Sequence, residues 1–276
     1  TRSYSGTGVQ TCALPIWATL QITGVPEYIW YHGCGPTAGA MVLGYWDMLA
    51  YPNYFPGDAS TQTAAVNDAI ASPEHIDDYA DVTNVPPYAD DPPFHADNSL
   101  ADFMGTSVDP LGHGWSSNVG VRDGMDDYAA FVGYTAAGTA METAGSSFTW
   151  SDLQGEIDAG RPMVFLVDSD GNGGTDHFVP IIGYRTSPRN QYACYTTWAS
   201  SPGVYWYDFE PMAAGQPWGI HSGIYFYPSA SSPDLAATNT NVSPEPLRWG
   251  DAFTYTYGVK NYGMSAAGSF KVKFYA

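Results

Sequence analysis

The chain of 276 residues is long enough for one substantial domain and a smaller one. Its 9 Lys and Arg stand against 28 Asp and Glu, for a formal net charge of −19. This balance excludes nucleic acid and anionic membrane surfaces as partners, because binding phosphate requires basic patches. It favours a secreted or extracellular protein that self-repulsion keeps dispersed. The chain contains no apolar run near the ~20 residues that a membrane span requires.

Residues 1–16 are predicted to be an artefactual or disordered tail. The segment from Thr7 to Ile16 back-translates into a nucleotide string that resembles a common sequencing-library adapter, so it is excluded from fold reasoning. The alternative is a targeting segment that conforms poorly to type. If the tail is an artefact, Cys12 plays no part in the fold and the fragment has lost any signal peptide.

A cysteine stands at the predicted start of a helix. Cys34 comes just before Pro36, which suits a first helical position, and small and apolar residues continue from Ala38 to Trp46. The unpaired N–H groups and the dipole of a helix N-terminus stabilise a thiolate, so we expect the pKa of Cys34 to fall and its sulfur to be a nucleophile. The alternative is a small buried hydrophobic residue.

The region 48–148 is predicted to be long and irregular, with short helices at 98–104 and 122–131. Its histidines are widely spaced and share no helical face. We therefore expect them on the surface or in a substrate groove rather than as metal ligands. These histidines are His75, His95 and His113.

Two apolar runs, 163–167 and 177–184, predict a β-hairpin around a polar loop, and a short helix at 151–159 precedes them. His177 opens the second strand, on the same face as Val179 and Ile181. A histidine in this position, after a helix-start cysteine, is the order expected of a Cys–His hydrolase. The alternative for His177 alone is a hydrogen-bonded loop residue.

The hairpin loop carries oxygen side chains at alternate positions. Asp168, Asp170 and Asn172 match the first three ligand positions of a calcium loop, and Gly173 stands at the turn. The glutamate expected at the twelfth position is replaced by Val179. Calcium is therefore predicted on a partial pattern, and an Asp/Gly-rich turn is the alternative. The chemistry requires no other cofactor.

The segments Cys34-Gly-Pro-Thr-Ala and Asp176-His177-Phe-Val resemble the C39-like branch of the papain-like cysteine peptidases, in particular its standalone secreted bacterial members. The resemblance extends from about Val25 to Tyr227. It implies an α+β papain-like fold, with an N-terminal catalytic helix packed on an antiparallel sheet. It also implies that Cys34 is the nucleophile, that His177 is the general base, and that the substrate is a peptide or protein.

Two departures from the family pattern concern the groups around this pair. The third catalytic residue, usually Asn or Asp, corresponds to Thr196, whose hydroxyl accepts hydrogen bonds but carries no charge. The glutamine usually found six residues before the cysteine is replaced by Tyr28. The candidates for the missing oxyanion donor are Tyr28, Trp30 and His32.

Alternatives to a peptidase stay open. A disulfide between Cys34 and Cys194 would remove the nucleophile, although a buried free thiol is preferred for Cys194. The departures favour a non-catalytic adhesion or binding protein built on the same fold. An amidase acting on cell-wall peptides is a narrower alternative that uses the same chemistry.

Further strands are predicted at 204–209 and 219–227, and a linker at 229–233. The alternating patterns after it resemble the start of a CARDB-type immunoglobulin-like module, which implies association with the cell surface. Residues 234–276 are too few for a complete sandwich of about seven strands, so a truncated module is expected. The predicted organisation is thus a tail (1–16), a peptidase domain (17–228), a linker (229–233) and a partial module (234–276).

Overall fold

The computed structural model describes residues 19–78, 95–108, 114–200, 202–229, 235–243 and 254–261. They form an α+β fold. The helices are α1 (Cys34–Leu49), α2 (Ala64–Ile70), α3 (Pro73–Asp78), α4 (Leu100–Phe103), α5 (Asn118–Phe131) and α6 (Trp150–Asp158). Within these ranges, no helix combines the length and the apolar character that crossing a membrane requires.

The strands build a central antiparallel sheet and smaller pairs. They are β1 (Thr19–Gln21), β2 (Ser107–Val108), β3 (Gly114–Trp115), β4 (Thr135–Thr143), β5 (Met163–Asp168), β6 (His177–Arg185), β7 (Gln191–Tyr195), β8 (Val204–Asp208), β9 (Gly219–Ser229), β10 (Leu235–Ser243) and β11 (Thr254–Asn261). The order in the central sheet is β4-β9-β5-β6-β7-β8, and β1 also pairs with β6. The strands β2 and β3 form a separate pair, as do β10 and β11.

The predicted hairpin lies at the centre of this sheet. Met163 pairs with Ile181 and Val167 pairs with His177, so the polar loop joins two neighbouring antiparallel strands. Both strands are buried along nearly their whole length, as their continuous Val, Ile and Phe content predicts. His177 is therefore the first residue of a buried strand in the middle of the sheet.

Helix α1 packs against β6 with almost its whole surface covered, and it is buried from Cys34 through Asp47. Its glycines permit this close approach. A Cβ at Gly39 would lie 2.9 Å from the methyl carbon of Met104, and one at Gly44 would lie 2.6 Å from the Tyr28 hydroxyl. The small residues that follow the cysteine thus allow the helix to sit deep in the fold.

The region between α1 and α6 is more regular than its sequence suggests. It contains α2, α3 and the long strand β4, which pairs with β9. The predicted helix at 122–131 begins earlier, at Asn118, because the Ser117 side chain caps it by accepting from the Gly120 N–H. The expectation that His75 lies on the surface is wrong, because this residue is fully buried.

Several predictions concern residues that the structure does not describe or the two strands near the C-terminus. The predicted tail (1–16), the linker residues 230–233 and His113 lie outside the described residues. In the predicted C-terminal module, β10 and β11 pair antiparallel from Leu235↔Asn261 to Ser243↔Thr254. These two strands fit the alternating sequence pattern, and the immunoglobulin-like module itself stays a prediction.

Candidate functional site

Cys34 is the first residue of α1, and Thr37 ties the preceding loop to the helix. Gly33 caps the helix at φ 149°, where glycine is favoured, and a Cβ there would lie 2.8 Å from Thr106 Cγ2. The buried Thr37 hydroxyl donates to the Gly33 carbonyl (2.6 Å) and accepts from the Tyr31 N–H (3.0 Å). The threonine of the Cys-Gly-Pro-Thr motif is thus a positioning residue, which the sequence analysis missed.

The Cys34 sulfur is held between α1 and β6. Burial raises the pKa of this thiol, N–H groups of Phe178, Gly35 and Cys34 itself work in the opposite direction, and the negative charge of Asp176 adds to the rise. The net direction is upward, so the prediction that the helix N-terminus lowers this pKa is wrong. Burial outweighs the dipole because only 9% of the residue is exposed.

The His177 ring is oriented by a backbone carbonyl. Its Nε2 lies 2.8 Å from the carbonyl oxygen of Thr196. A carbonyl can only accept, so in the neutral ring Nε2 carries the proton and Nδ1 keeps the free lone pair. Thr196 thus contacts the imidazole as the sequence analysis predicts, but the contacting atom is its main-chain oxygen and not its hydroxyl.

Burial lowers the pKa of His177, while the hydrogen bond to Thr196 and the charge of Asp176 partly offset this. The imidazole is therefore neutral at pH 7, as a general base must be. His177 adjoins Phe178, whose N–H faces the Cys34 sulfur. The thiol therefore lies beside the start of β6, the strand on which His177 is the first residue.

Aromatic side chains enclose the imidazole. The Trp198 ring stacks on it with centroids 4.8 Å apart, and the Trp218 ring meets it edge-on at 6.2 Å. Trp218 in turn stacks on Tyr207 at 4.0 Å. Neither contact with the imidazole is predicted by a local sequence pattern, because Trp198 and Trp218 lie 21 and 41 residues after His177 in the chain.

Strained backbone conformations lie close to Cys34 and His177. Among the described residues, the non-glycine positions with positive φ are His32 (49°), Thr197 (64°) and Trp218 (67°). His32 lies two residues before Cys34, Thr197 follows the carbonyl that contacts His177, and Trp218 packs against the ring. Such conformations cost roughly 1–3 kcal/mol each and persist where the surrounding structure imposes them.

A cleft of about 340 Å³ opens beside the Cys34 sulfur. One wall comes from β3 and the start of α5, and the other from the hairpin, with His221 on β9. Its lining residues are Cys34, Gly114, Trp115, Ser116, Ser117, Asn118, Leu166, Thr175, Asp176, Phe178 and His221. Trp115 is therefore a cleft residue, whereas Tyr134 packs on the buried Tyr54 at 4.9 Å.

A sequence profile described as the Peptidase_C39 like family matches residues 19–220, which include the helix-start cysteine, the hairpin and the carbonyl that contacts the histidine. The chain belongs to the peptidase C39-like family. No curated protein matches it. Among solved structures, the "Crystal Structure Analysis of SERA5E from plasmodium falciparum" is similar at 11% identity and a TM-score of 0.38, over 76% of this chain and 91% of that one.

The oxyanion candidates drawn from the C39-like pattern do not reach the cleft. Tyr28 is fully buried, and its hydroxyl donates to the Ala59 carbonyl, so this prediction is wrong. The backbone N–H of Trp30 donates to the Thr197 carbonyl (2.6 Å). The His32 ring packs edge-on against Tyr31 at 4.6 Å. In the described part of the chain, the cleft lining includes none of the three predicted donors.

The N–H groups at the start of α1 are better placed than these side chains. Those of Cys34 and Gly35 both lie beside the sulfur. Pro36 has no N–H, and the Thr37 N–H already bonds the Gly33 carbonyl (3.2 Å). The helix N-terminus thus offers backbone donors where a tetrahedral oxyanion would form.

Both cysteines in the described part of the chain are free, so the disulfide between Cys34 and Cys194 is excluded. Cys194 is fully buried on β7, and burial strongly raises the pKa of its thiol. The preferred prediction of a buried free thiol at Cys194 is confirmed. The sulfur of Cys34 remains available for chemistry.

The polar side chains of the hairpin loop accept hydrogen bonds from its own backbone. Asp168 is fully buried and accepts from the N–H groups of Gly171 (2.7 Å) and Gly173 (2.7 Å). Burial works against its charge, yet these hydrogen bonds hold the pKa of Asp168 below its usual value. Asp170 accepts from the Asn172 N–H at 2.9 Å.

The three predicted calcium ligands in this loop are two carboxylates and one amide. In the described residues, no set of three or more His, Cys, Asp or Glu side chains is arranged to hold a metal ion. Calcium at Asp168, Asp170 and Asn172 stays a prediction, and the observed bonding matches the Asp/Gly-rich turn that was its alternative.

A buried carboxylate also joins two of the remote histidines. Asp102 Oδ1 lies 2.6 Å from His75 Nδ1 and 3.1 Å from His95 Nε2, and Oδ2 accepts from the Ser99 hydroxyl (2.7 Å). Burial opposes the charge of Asp102, but the contacts with His75, Ser99 and the Asn98 N–H lower its pKa to about 2. The wide sequence spacing of the histidines concealed this cluster, which anchors α3 to α4.

Proposed function

We propose that this chain is a secreted cysteine peptidase that hydrolyses peptide bonds with Cys34 as nucleophile and His177 as general base. Membership of the C39-like family supports hydrolase chemistry. The observation that carries the proposal is the contact between His177 Nε2 and the Thr196 carbonyl, because it fixes the tautomer that leaves Nδ1 free to accept a proton.

The chemistry follows from this arrangement. His177 Nδ1 takes the Cys34 proton as the sulfur attacks the peptide carbonyl carbon. The N–H groups of Cys34 and Gly35 then stabilise the oxyanion. The C–N bond breaks as the imidazolium returns its proton to the leaving amine, and an acyl thioester remains on the sulfur. Water attacks the thioester with Nδ1 as base, releasing the acid and restoring the thiol.

The raised pKa of Cys34 makes the resting pair neutral, in the manner of a serine–histidine pair. Proton transfer and attack then occur together, and the aromatic enclosure of His177 keeps water away from the imidazole. An uncharged carbonyl stabilises the imidazolium less than a carboxylate would. We therefore expect a slow peptidase.

The acidic balance supports secretion, and the strand pair β10–β11 is compatible with a C-terminal surface module. In this proposal the peptidase domain acts outside a bacterial cell and the module associates it with the cell surface. Cell-wall peptides are then accessible amide substrates, and an amidase is the narrower form of the same function.

A peptide library incubated with the chain and analysed by mass spectrometry tests the proposal. New termini are expected with the unmodified protein and none with Cys34→Ala. His177→Ala should lower cleavage at least a hundredfold. Cys194→Ala is the matched control, because it removes the buried thiol and should retain cleavage. Cleavage that persists in Cys34→Ala would contradict the assignment.

The raised pKa of Cys34 favours a second candidate, a binding protein that keeps the fold without the reaction. A binding protein would give different results in the cleavage and alkylation experiments. No peptide or muropeptide would be cleaved, and Cys34 would react with iodoacetamide no faster in the unmodified protein than in His177→Ala.

A further inference from the structure

Asp176 is an exposed carboxylate on the wall of the catalytic cleft. It directly precedes His177, and its two oxygens accept from the Ser169 N–H (2.7 Å) and the Ser169 hydroxyl (2.6 Å). An ionised carboxylate has about four acceptor positions, so two remain for a ligand. Ser169 thus fixes the direction of Asp176 without consuming its charge.

The charge of Asp176 acts on both groups, since it adds to the rise in the pKa of Cys34 and offsets part of the fall in the pKa of His177. It has no cationic partner in the cleft, whose described lining contains neither Lys nor Arg. The arginines of the described residues are engaged elsewhere. The pairs are Arg122–Asp123, Arg161–Glu156, Arg189–Asp208 and Arg185–Gln191.

Trp115 supplies the complementary apolar surface. Its side chain lines the same cleft and 46% of the residue is exposed. A basic side chain has an aliphatic stem and a charged end, which need an apolar face and an anion respectively. The net charge of −19 adds long-range attraction for cationic substrates.

We propose that Asp176 is the specificity-determining residue of the cleft and selects peptides with a Lys or Arg side chain next to the cleaved bond. This inference rests on the proposed function and names its substrate class.

Charge selection at the sulfur can be measured without any peptidase activity. Methanethiosulfonate reagents transfer their thioalkyl group to a thiolate, forming a disulfide and releasing methanesulfinate. The rates for a trimethylammonium reagent and a sulfonate reagent are compared at pH 8. Mass spectrometry of the peptide containing Cys34 separates this reaction from any at Cys12 or Cys194.

The cation/anion rate ratio should fall about tenfold in Asp176→Asn, the effect of one charge at about 6 Å in water on two reagents of opposite sign. Asp127→Asn, on the exposed face of α5, makes the same change in net charge and should keep the ratio within about twofold. An equal ratio in Asp176→Asn and the unmodified protein would overturn the proposal.

Paired peptides complete the test. Each pair carries lysine or acetyl-lysine at the same position, and we expect kcat/KM to favour lysine by about fivefold to tenfold, a preference lost in Asp176→Asn. Cleavage of both members at equal rates overturns the inference and leaves the peptidase intact. If no peptide is cleaved, the proposed function fails, and the reagent ratio alone decides whether Asp176 selects charge.

Discussion

Replacing Thr37 by valine removes a buried hydroxyl and keeps the shape of the side chain. The Tyr31 N–H loses its hydrogen bond to Oγ1, while the Gly33 carbonyl keeps the Thr37 N–H. An unsatisfied, partly buried donor costs about 1 kcal/mol and the second lost bond about 1 more. The free energy of unfolding should therefore fall by about 2 kcal/mol, which lowers the melting temperature by roughly 4–8 °C.

The same change should affect chemistry more than stability, because the loop 31–33 presents the sulfur. We expect kcat/KM to fall at least tenfold in Thr37→Val, measured beside urea unfolding. Thr37→Ser keeps the hydroxyl and should restore most of the activity. Thr63→Val removes the cap of α2, costs about 1 kcal/mol and leaves the cleft alone. Equal activity and stability in Thr37→Val and the unmodified protein would refute this reasoning.

The lowered pKa of His177 predicts that the acid limb of the pH profile of kcat/KM lies below pH 6.5. The raised pKa of Cys34 predicts that its rate of alkylation by iodoacetamide still increases above pH 9. An alkylation rate that is already constant from pH 6 would contradict the second prediction. The pKa of Asp102 falls from 3.8 to about 2 on folding, so its contribution to the stability of the fold is complete above pH 4 and is lost as the pH falls towards 2. Between pH 4 and pH 2, the free energy of unfolding measured with urea should decrease by about 2 kcal/mol less in Asp102→Asn than in the unmodified protein. An equal decrease in the two proteins would exclude this role. If calcium binds the hairpin loop, 5 mM CaCl2 should raise the melting temperature by about 2–4 °C in the unmodified protein and not in Asp170→Asn. A shift that magnesium reproduces, or no shift, would remove the calcium prediction.

The catalytic helix and the central hairpin could be predicted because their patterns are local. A proline after a cysteine and two β-branched runs around an Asp/Gly loop determine those elements with little help from the rest of the chain. Strand β4 could not be predicted in this way. Its sequence, Thr135 to Thr143, is rich in Ala and Gly, and it is a strand because β9 offers it a partner along nearly its whole length.

In the candidate site, too, some features could be predicted from the sequence and others depend on the tertiary structure. The chemical identities of Cys34 and His177 are visible in the sequence, but the group that orients the imidazole is a main-chain oxygen, and every residue has one. Side-chain identity at Thr196 therefore could not reveal it. The direction of the Cys34 pKa shift also depends on burial by distant segments, which no local pattern reports.

The strained backbone at His32, Thr197 and Trp218 has a consequence for how this protein could be made more heat resistant. Glycine at these positions would relieve a few kcal/mol, a sizeable fraction of the ~5–15 kcal/mol that separates folded from unfolded domains. The same exchange would remove the indole of Trp218 and loosen the turns beside the thiol and the imidazole. Thermal stability and catalytic turnover thus depend on the same few peptide units, so we expect substitutions selected for one to reduce the other.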